Sequence, residues 1–364
     1  MMNDTLKKQI ESLLNKDLPF ALYYLPGESE VSFIAGKLRL LNATDAANSS
    51  HKGFVFAPYR ETPLCPSLLV TAEYVAQGDD TILGLVETIE SARLSSDKAP
   101  LAISHEVSQF DFEALVTQAL AEIQNDDTLQ KVVVSRVKNI NLSQGFLTTD
   151  LLEKMQKTLP SAFCYLCYIP GIGTWMGATP ERLLEIEGTA AQTNALAGTL
   201  RNGTQDKWSQ KEKDEQQIVT DYIANQLEGV GMHNYVVDGP TEMASGSVRH
   251  LRSVFRFDLE NNKKVWQVIK ALHPTPAVCG MPKDAAADFI ASNENYEREY
   301  YTGYLGPVGI KGASHIFVNL RCMKIVGQGA SLYVGAGITS GSKADKEWEE
   351  TEIKALTLLN VIRN

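Results

Sequence analysis

The segment HIFVNLRCMKIV, His315–Val326, reads as strand and runs through Gly327-Gln328-Gly329 into a second strand pattern, Ala330–Gly337. A glycine-bearing connection of that length between two such runs predicts a β-hairpin. Working outward, upstream segments carry the same signature: KVVVSRV from Lys131, FCYLCYIP from Phe163 and, after the loop GIG, TWMGA from Thr174. Long helix patterns flank them at Phe112–Ile123, Trp208–Glu228 and Lys343–Ile362. Hairpins with scattered long helices predict an α+β fold with antiparallel sheets flanked by helices around a central cleft. A dinucleotide-binding fold needs regular strand-helix alternation and a GxGxxG turn, and the chain has neither.

The first hundred residues mix short strands (Ala21–Leu25, Val31–Ile34, Phe54–Ala57) with polar loops, and Ser95–Pro100 reads as a connector. This divides the chain into residues 1–104, a loosely organised N-terminal part of the same domain, and a core at 105–364. Near the start, Leu6, Ile10, Leu13 and Leu14 recur at helical spacing, which predicts an amphipathic helix rather than a signal peptide. No run is long and apolar enough for a membrane span. A net charge of −10 argues against nucleic acid as the main partner, though a pocket can still be locally basic. These readings predict a soluble, cytoplasmic protein. Cys164 and Cys167 form a CxxC, but on a strand they point to opposite faces, and no second pair completes a zinc site.

Several residues stand out as chemistry-bearing. Lys131 opens its strand and shares a face with Val133 and Ser135. Solvent exposure is the ordinary fate of such a lysine, whereas burial would lower its pKa and make it a base. Glu181 follows Thr179-Pro180, which reads as an N-cap and the first position of a helical turn. A carboxylate there either favours the turn's positive end or serves as an acid beside a glycine-flanked strand. Glu215 shares a helix face with Ile218, Val219, Tyr222 and Ile223, a face predicted to be buried, and a carboxylate at its mouth needs a base or a metal. Glu347 and Glu350 lie one turn apart, with Glu350 spaced to pair with Lys354. They make either a solvated face or, with oxygen donors only, a site for a hard divalent cation. LAGT (Leu196–Thr199), Gly335-Ala336-Gly337 and HPTPAVCG (His273–Gly280) could bring backbone amides close to an anion, or could simply mark turns.

In order along the chain, KVVVSR, GATPERLL, LAGT, KDEQQIV, HPTPAVCG, ENYEREYYTGYLGPVG, FVNLRC, YVGAGI and EWEETEIK resemble the chorismate-binding enzymes, most closely the isochorismate synthases. The likeness runs from about His105 to the C-terminus. It implies Mg2+-dependent conversion of chorismate to isochorismate by a standalone monomeric isomerase, without an obligatory glutaminase subunit. The product would feed menaquinone or siderophore biosynthesis. Lys131 then resembles the base that activates water and Glu181 the acid that protonates the departing hydroxyl. Glu215 and Glu350 resemble the magnesium ligands, with Glu347 nearby. Gly198, Thr199, His273, Ala277, Arg321, Gly335, Gly337 and Lys354 resemble the groups that surround and hold the substrate. Lys131 disfavours an anthranilate synthase, which usually has glutamine there. Ala277 stands where amine-adding and pyruvate-eliminating relatives commonly have threonine. Salicylate synthase remains the alternative enzyme, and a catalytically dead chorismate sensor the alternative of another class.

Overall fold

The structure, a computed structural model, describes residues 2–14, 16–41, 51–89, 102–125, 128–201, 203, 205, 207–245, 248–259 and 264–363. The connector predicted at Ser95–Pro100 lies outside them. Two nine-stranded sheets, antiparallel in every registered pairing, face one another. The first contains β1 (Phe20–Tyr24), β2 (Ser32–Ala35), β6 (Tyr74–Gln77), β7 (Lys131–Asn141), β8 (Phe163–Ile169), β9 (Gly173–Thr179), β14 (Gly280–Met281), β17 (Cys322–Val326) and β18 (Gly329–Ile338). The second contains β3 (Leu38–Leu40), β4 (Gly53–Ala57), β5 (Leu68–Thr71), β10 (Arg182–Glu187), β11 (Ala190–Arg201), β12 (Tyr235–Ser245), β13 (Val248–Asp258), β15 (Tyr304–Val308) and β16 (Ala313–Val318). Strands from the first eighty residues therefore extend both sheets. The α+β architecture is the one the hairpin patterns predict.

The space between the sheets is filled by aromatic rings. Phe163 stacks on Phe317 at 4.3 Å and Phe56 on Tyr300 at 4.2 Å. Such offset pairs add to simple area burial. Helices cover the outer faces. Helices α1 (Asp4–Leu13), α2 (Asp79–Ile89), α4 (Thr148–Thr158) and the C-terminal half of α8 (Ala344–Arg363) pack on the first sheet. Leu6, Ile10 and Leu13 of α1 are fully buried there, as their spacing predicts. Helices α5 (Gln210–Gly229) and α6 (Val265–Leu272) pack on the second sheet. Helices α3 (Gln109–Asn125) and α7 (Lys283–Asn293) clasp the β7 edge, where Val132 and Val134 point at them. Cys164 and Cys167 sit on opposite faces of β8, one in the outer core and one between the sheets.

One expectation needs correction. His315–Val326 is not a single strand: β16 lies in the second sheet and β17 in the first, so the chain crosses between sheets at Asn319-Leu320-Arg321. Asn319 is fully buried and stitches the crossing, donating to the Tyr300 carbonyl at 2.8 Å and accepting from the Tyr165 hydroxyl at 2.6 Å. Arg321 takes a positive φ of 47°, a conformation that turns the chain sharply. The predicted hairpin itself is present as β17–β18, from Cys322↔Tyr333 to Val326↔Gly329.

Candidate active site

Two walls carry the charged groups that come together here. The first wall is built on β7, β18 and α8. Lys131 opens β7, and the ladder with β18 places Gly337 opposite Val133. A methyl group added at Gly337 would stand 3.1 Å from the Lys131 Cε, so a side chain there would crowd the lysine stem. Gly335 is equally confined, with the Val134 carbonyl 2.8 Å and the Tyr301 hydroxyl 3.0 Å from where its Cβ would be. From α8, the Lys354 ammonium donates to the Gly335 carbonyl at 2.8 Å and pairs with Glu350 at 2.7 Å. Half-exposed, that pair adds little stability by itself. What it does is hold the charge over the cleft.

The second wall comes from the β9–β10 link, α5 and the loop between α6 and β14. The helical turn predicted at Thr179-Pro180-Glu181 is absent. Thr179 ends β9, Arg182 begins β10, and Glu181 lies in the extended link. Its carbonyl accepts from the Val318 N–H at 2.9 Å, and its carboxylate accepts from the Thr275 hydroxyl at 3.4 Å. Glu215 lies in the second turn of α5. Its expected buried face is only partly so: Tyr222 and Ile223 are buried, but Ile218 is 42% exposed.

Charges from both walls converge. Lys131 is half-buried, and burial lowers its pKa. The carboxylates of Glu215, Glu181 and Glu350 oppose that shift, while the Lys354 ammonium adds to it. Burial raises the pKa of Glu181 despite the Thr275 hydroxyl and the cations Lys131, Arg321 and Lys354. One site thus holds a lysine pushed toward its neutral form and a carboxyl pushed toward its protonated form, the pattern of a base and an acid assigned by environment. Burial also raises Glu347, and the like charge of Glu350 one turn away adds to the rise.

Among the described residues, no three Asp, Glu, His or Cys side chains gather into a ready-made metal cage. Magnesium needs no such cage, since it binds through one or two carboxylates plus substrate and water oxygens. Glu215 and Glu350 both act on Lys131, and the Glu347–Glu350 pair offers oxygen donors whose mutual repulsion a divalent cation would relieve.

The remaining candidate positions divide. Ala277 lines a cavity of about 200 Å³ together with Glu181 and Thr275. Gly198, at φ +67°, offers its carbonyl to His250 at 2.9 Å. The side chain of Thr199 lies outside the described set. His273 is not brought to the charged cluster. It is buried, its ring edge-on to Tyr304 and its Nε2 3.3 Å from the Tyr59 carbonyl, and burial lowers its pKa to about 4. Two residues escaped the sequence reading. One is Thr275, whose neighbour His273 drew attention instead. The other is His250, whose pKa is lowered by burial and by the charges of Arg321 and Lys354. HPTPAVCG marked the first segment; no local pattern marked the second.

Comparison with known proteins gives the family and the fold. Residues 68–363 match the family model described as chorismate binding enzyme. The chain is 30% identical over 269 residues to isochorismate synthase DhbC of Bacillus subtilis (strain 168), covering 69% of this chain and 67% of that protein. It is 30% identical over 259 residues to isochorismate synthase MenF of Escherichia coli (strain K12), covering 68% of this chain and 58% of that protein. Among solved structures, that of Escherichia coli MenF superposes with a TM-score of 0.78 at 22% identity, covering 99% of this chain and 91% of that one. Anthranilate synthase component I from Streptococcus pneumoniae TIGR4 gives 0.70 at 22% identity, covering 93% of this chain and 92% of that one.

Proposed function

Because the chain belongs to the chorismate-binding enzyme family, we propose that it is an isochorismate synthase, an isomerase that converts chorismate to isochorismate. The observation that carries this reading is the opposed pair. Burial pushes Lys131 toward the neutral amine and Glu181 toward the protonated acid, on two walls of one cleft. Neutral Lys131 takes a proton from water as its oxygen bonds to C2 of the ring. The ring double bonds shift, the C4–O bond breaks, and Glu181 gives its proton to the departing hydroxyl, which leaves as water. Atoms balance, and neither oxidant nor reductant is needed. Each proton transfer by a positioned group is worth ~10²–10⁴ in rate.

Chorismate is a dicarboxylate and the protein is acidic, so local cations must receive it. Arg321 and Lys354 both act on Glu181, and Lys354 also on Lys131. A magnesium ion would be held by Glu215 and Glu350, with Glu347 beside them, and would neutralise the ring carboxylate. Gly335 and Gly337 keep the floor of the cleft low enough for the ring, and Ala277 leaves the acid side open. The same reading takes residues 1–104 as part of this domain and the enzyme as a cytoplasmic monomer that needs no glutaminase subunit.

The test is incubation with chorismate and magnesium, followed by chromatographic separation of products. Isochorismate is the expected product. Salicylate with pyruvate as the main product would overturn the assignment, and absence of turnover with chorismate still bound would favour the sensor. Chelation should abolish turnover.

A further inference from the structure

The 200 Å³ cavity beside Glu181 has walls that the chemistry above leaves unused. Past Glu181, Thr275 and Ala277 it reaches Asn194, Arg252 and Met243. It can do so because the β10–β11 ladder ends at Glu185↔Gln192. Nearer to Glu181 the Thr193 hydroxyl bonds the Leu183 carbonyl at 2.7 Å in place of a ladder bond.

Arg252 lies on β13 opposite Leu196 of β11. Among the described residues its guanidinium has one hydrogen-bond partner, the Met243 sulfur at 3.6 Å, and its Nε is buried with none. Three other arginines of the second sheet are matched with acids: Arg182 with Glu185, Arg249 with Glu242 and Arg256 with Asp238. A half-buried permanent charge without a counter-ion is unfavourable, and a planar guanidinium on a cavity is best completed by a carboxylate. Asn194 supplies a second donor on the same cavity.

We propose that Arg252, with the Asn194 side-chain amide, forms a carboxylate-binding subsite on the Glu181 side of the cleft. Its ligand is a small carboxylic acid, either the substrate through one of its own carboxylates or a separate acid that occupies the cavity beside it. The first of these rests on the reading of Glu181 as a substrate-facing acid; the second does not.

The test uses the full chain and benzoate as probe, measured by calorimetry in the parent, Arg252→Met, Arg252→Lys and Asn194→Leu, with thermal unfolding to confirm that each variant is folded. Arg252→Met is expected to weaken benzoate at least roughly tenfold, the scale of one charge-assisted hydrogen bond, with Arg252→Lys in between. Asn194→Leu should weaken it less, and it keeps the test open if Arg252→Met fails to fold. Chorismate kinetics then separate the sources. A raised KM at unchanged kcat in Arg252→Met assigns the subsite to the substrate. An unchanged KM with benzoate inhibition lost assigns it to a separate acid. Benzoate that binds parent and Arg252→Met alike, or does not bind the parent, overturns the subsite. A parent that binds benzoate through Arg252 but does not turn chorismate over overturns the isochorismate synthase reading and leaves the subsite standing.

Discussion

The two walls of the cleft are held in place by different means. Lys131 stands at the end of a ladder in which β7 and β18 pair without interruption from Val132↔Ile338 to Asn141↔Gly329. The helices α3 and α7 back that ladder with a dry core. Glu181 has no ladder. It sits in a link, fixed by a backbone bond from Val318, by its own N–H donating to the Thr179 hydroxyl at 3.3 Å, and by a long contact from Thr275, which rides on a loop. A base on a sheet is positioned by many cooperative bonds, whereas an acid on a link is positioned by few. The difference teaches where perturbations should spread: damage near Lys131 should act through sterics at the lysine, and damage near Glu181 through the loop that supports it.

The largest expected effects come from removing the two groups themselves. Lys131→Ala and Glu181→Gln should each lose ~10²–10⁴ in kcat while still binding chorismate, since each removes a proton transfer and leaves Arg321 and Lys354 in place. Single-turnover product analysis beside calorimetric binding checks this. A Lys131→Ala enzyme within a few-fold of the parent would mean that the lysine is an ordinary strand-end residue and that the first wall carries no chemistry. Glu350→Ala should fall in the same range and lose magnesium affinity, because it removes an anionic oxygen donor.

A smaller effect isolates the sheet wall. Gly337→Ala puts a methyl 3.1 Å from the Lys131 Cε. The ladder cannot yield, so the lysine must. A displacement well under an ångström is expected to reduce kcat roughly tenfold, and the added methyl, standing on the floor of the cleft, to weaken chorismate as well. Equal kcat in Gly337→Ala would show that the lysine stem moves freely and that the rigid-wall picture is wrong.

The counterpart on the other wall is Thr275→Val, read in the pH profile. Activity needs neutral Lys131 and protonated Glu181. The rate therefore rises with pH as Lys131, its pKa lowered by burial, loses its proton, and falls again as Glu181, its pKa raised by burial, loses its own. Thr275 donates to the carboxylate and so favours the ionised form. Without that donor, Glu181 should hold its proton to higher pH, so the limb that Glu181 governs should move to higher pH and the limb that Lys131 governs should stay where it is. Both limbs moving together would mean that the pair titrates as one unit and that the walls are not separable.

Much of this was legible in the sequence because strand periodicity and the ordered blocks are local signals. KVVVSRV shows its buried face at Val132 and Val134, and the hairpin at Gly327 is visible from its turn. What was not legible depends on which sheet a strand joins. Nothing in HIFVNLRCMKIV distinguishes one long strand from two that cross between sheets, because Asn319 and Arg321 act through partners far along the chain. Thr179-Pro180-Glu181 is a valid helix start by local rules, and pairing of the flanking strands overrides it. Ile218 fits the apolar stripe of α5, yet it is 42% exposed. His273 and Thr275 share one motif, and only the fold decides which of them turns toward Glu181.

The smallest expected effect concerns the anchor of the acid wall. His273 is buried with its Nδ1 unpartnered, and its pKa is held near 4, below an unfolded value of about 6.5. Between those values the unfolded chain binds a proton that the native chain refuses. Stability from this residue is therefore full above pH 6.5 and is lost as pH falls toward 4, by about 2 kcal/mol at pH 5 relative to neutral pH. The loop that carries Thr275 should loosen first, because the Val278 and Cys279 amides bond back to the Thr275 carbonyl at 3.1 and 3.0 Å immediately after the histidine. Amide exchange at those two positions, taken as a ratio to the β7–β18 amides, cancels the intrinsic pH dependence of exchange. That ratio should grow on going from pH 7 to pH 5 in the parent, and should stay flat in a His273→Gln variant. A constant ratio in the parent would mean that the acid wall is as firmly held as the base wall, and that the few bonds around Glu181 are enough.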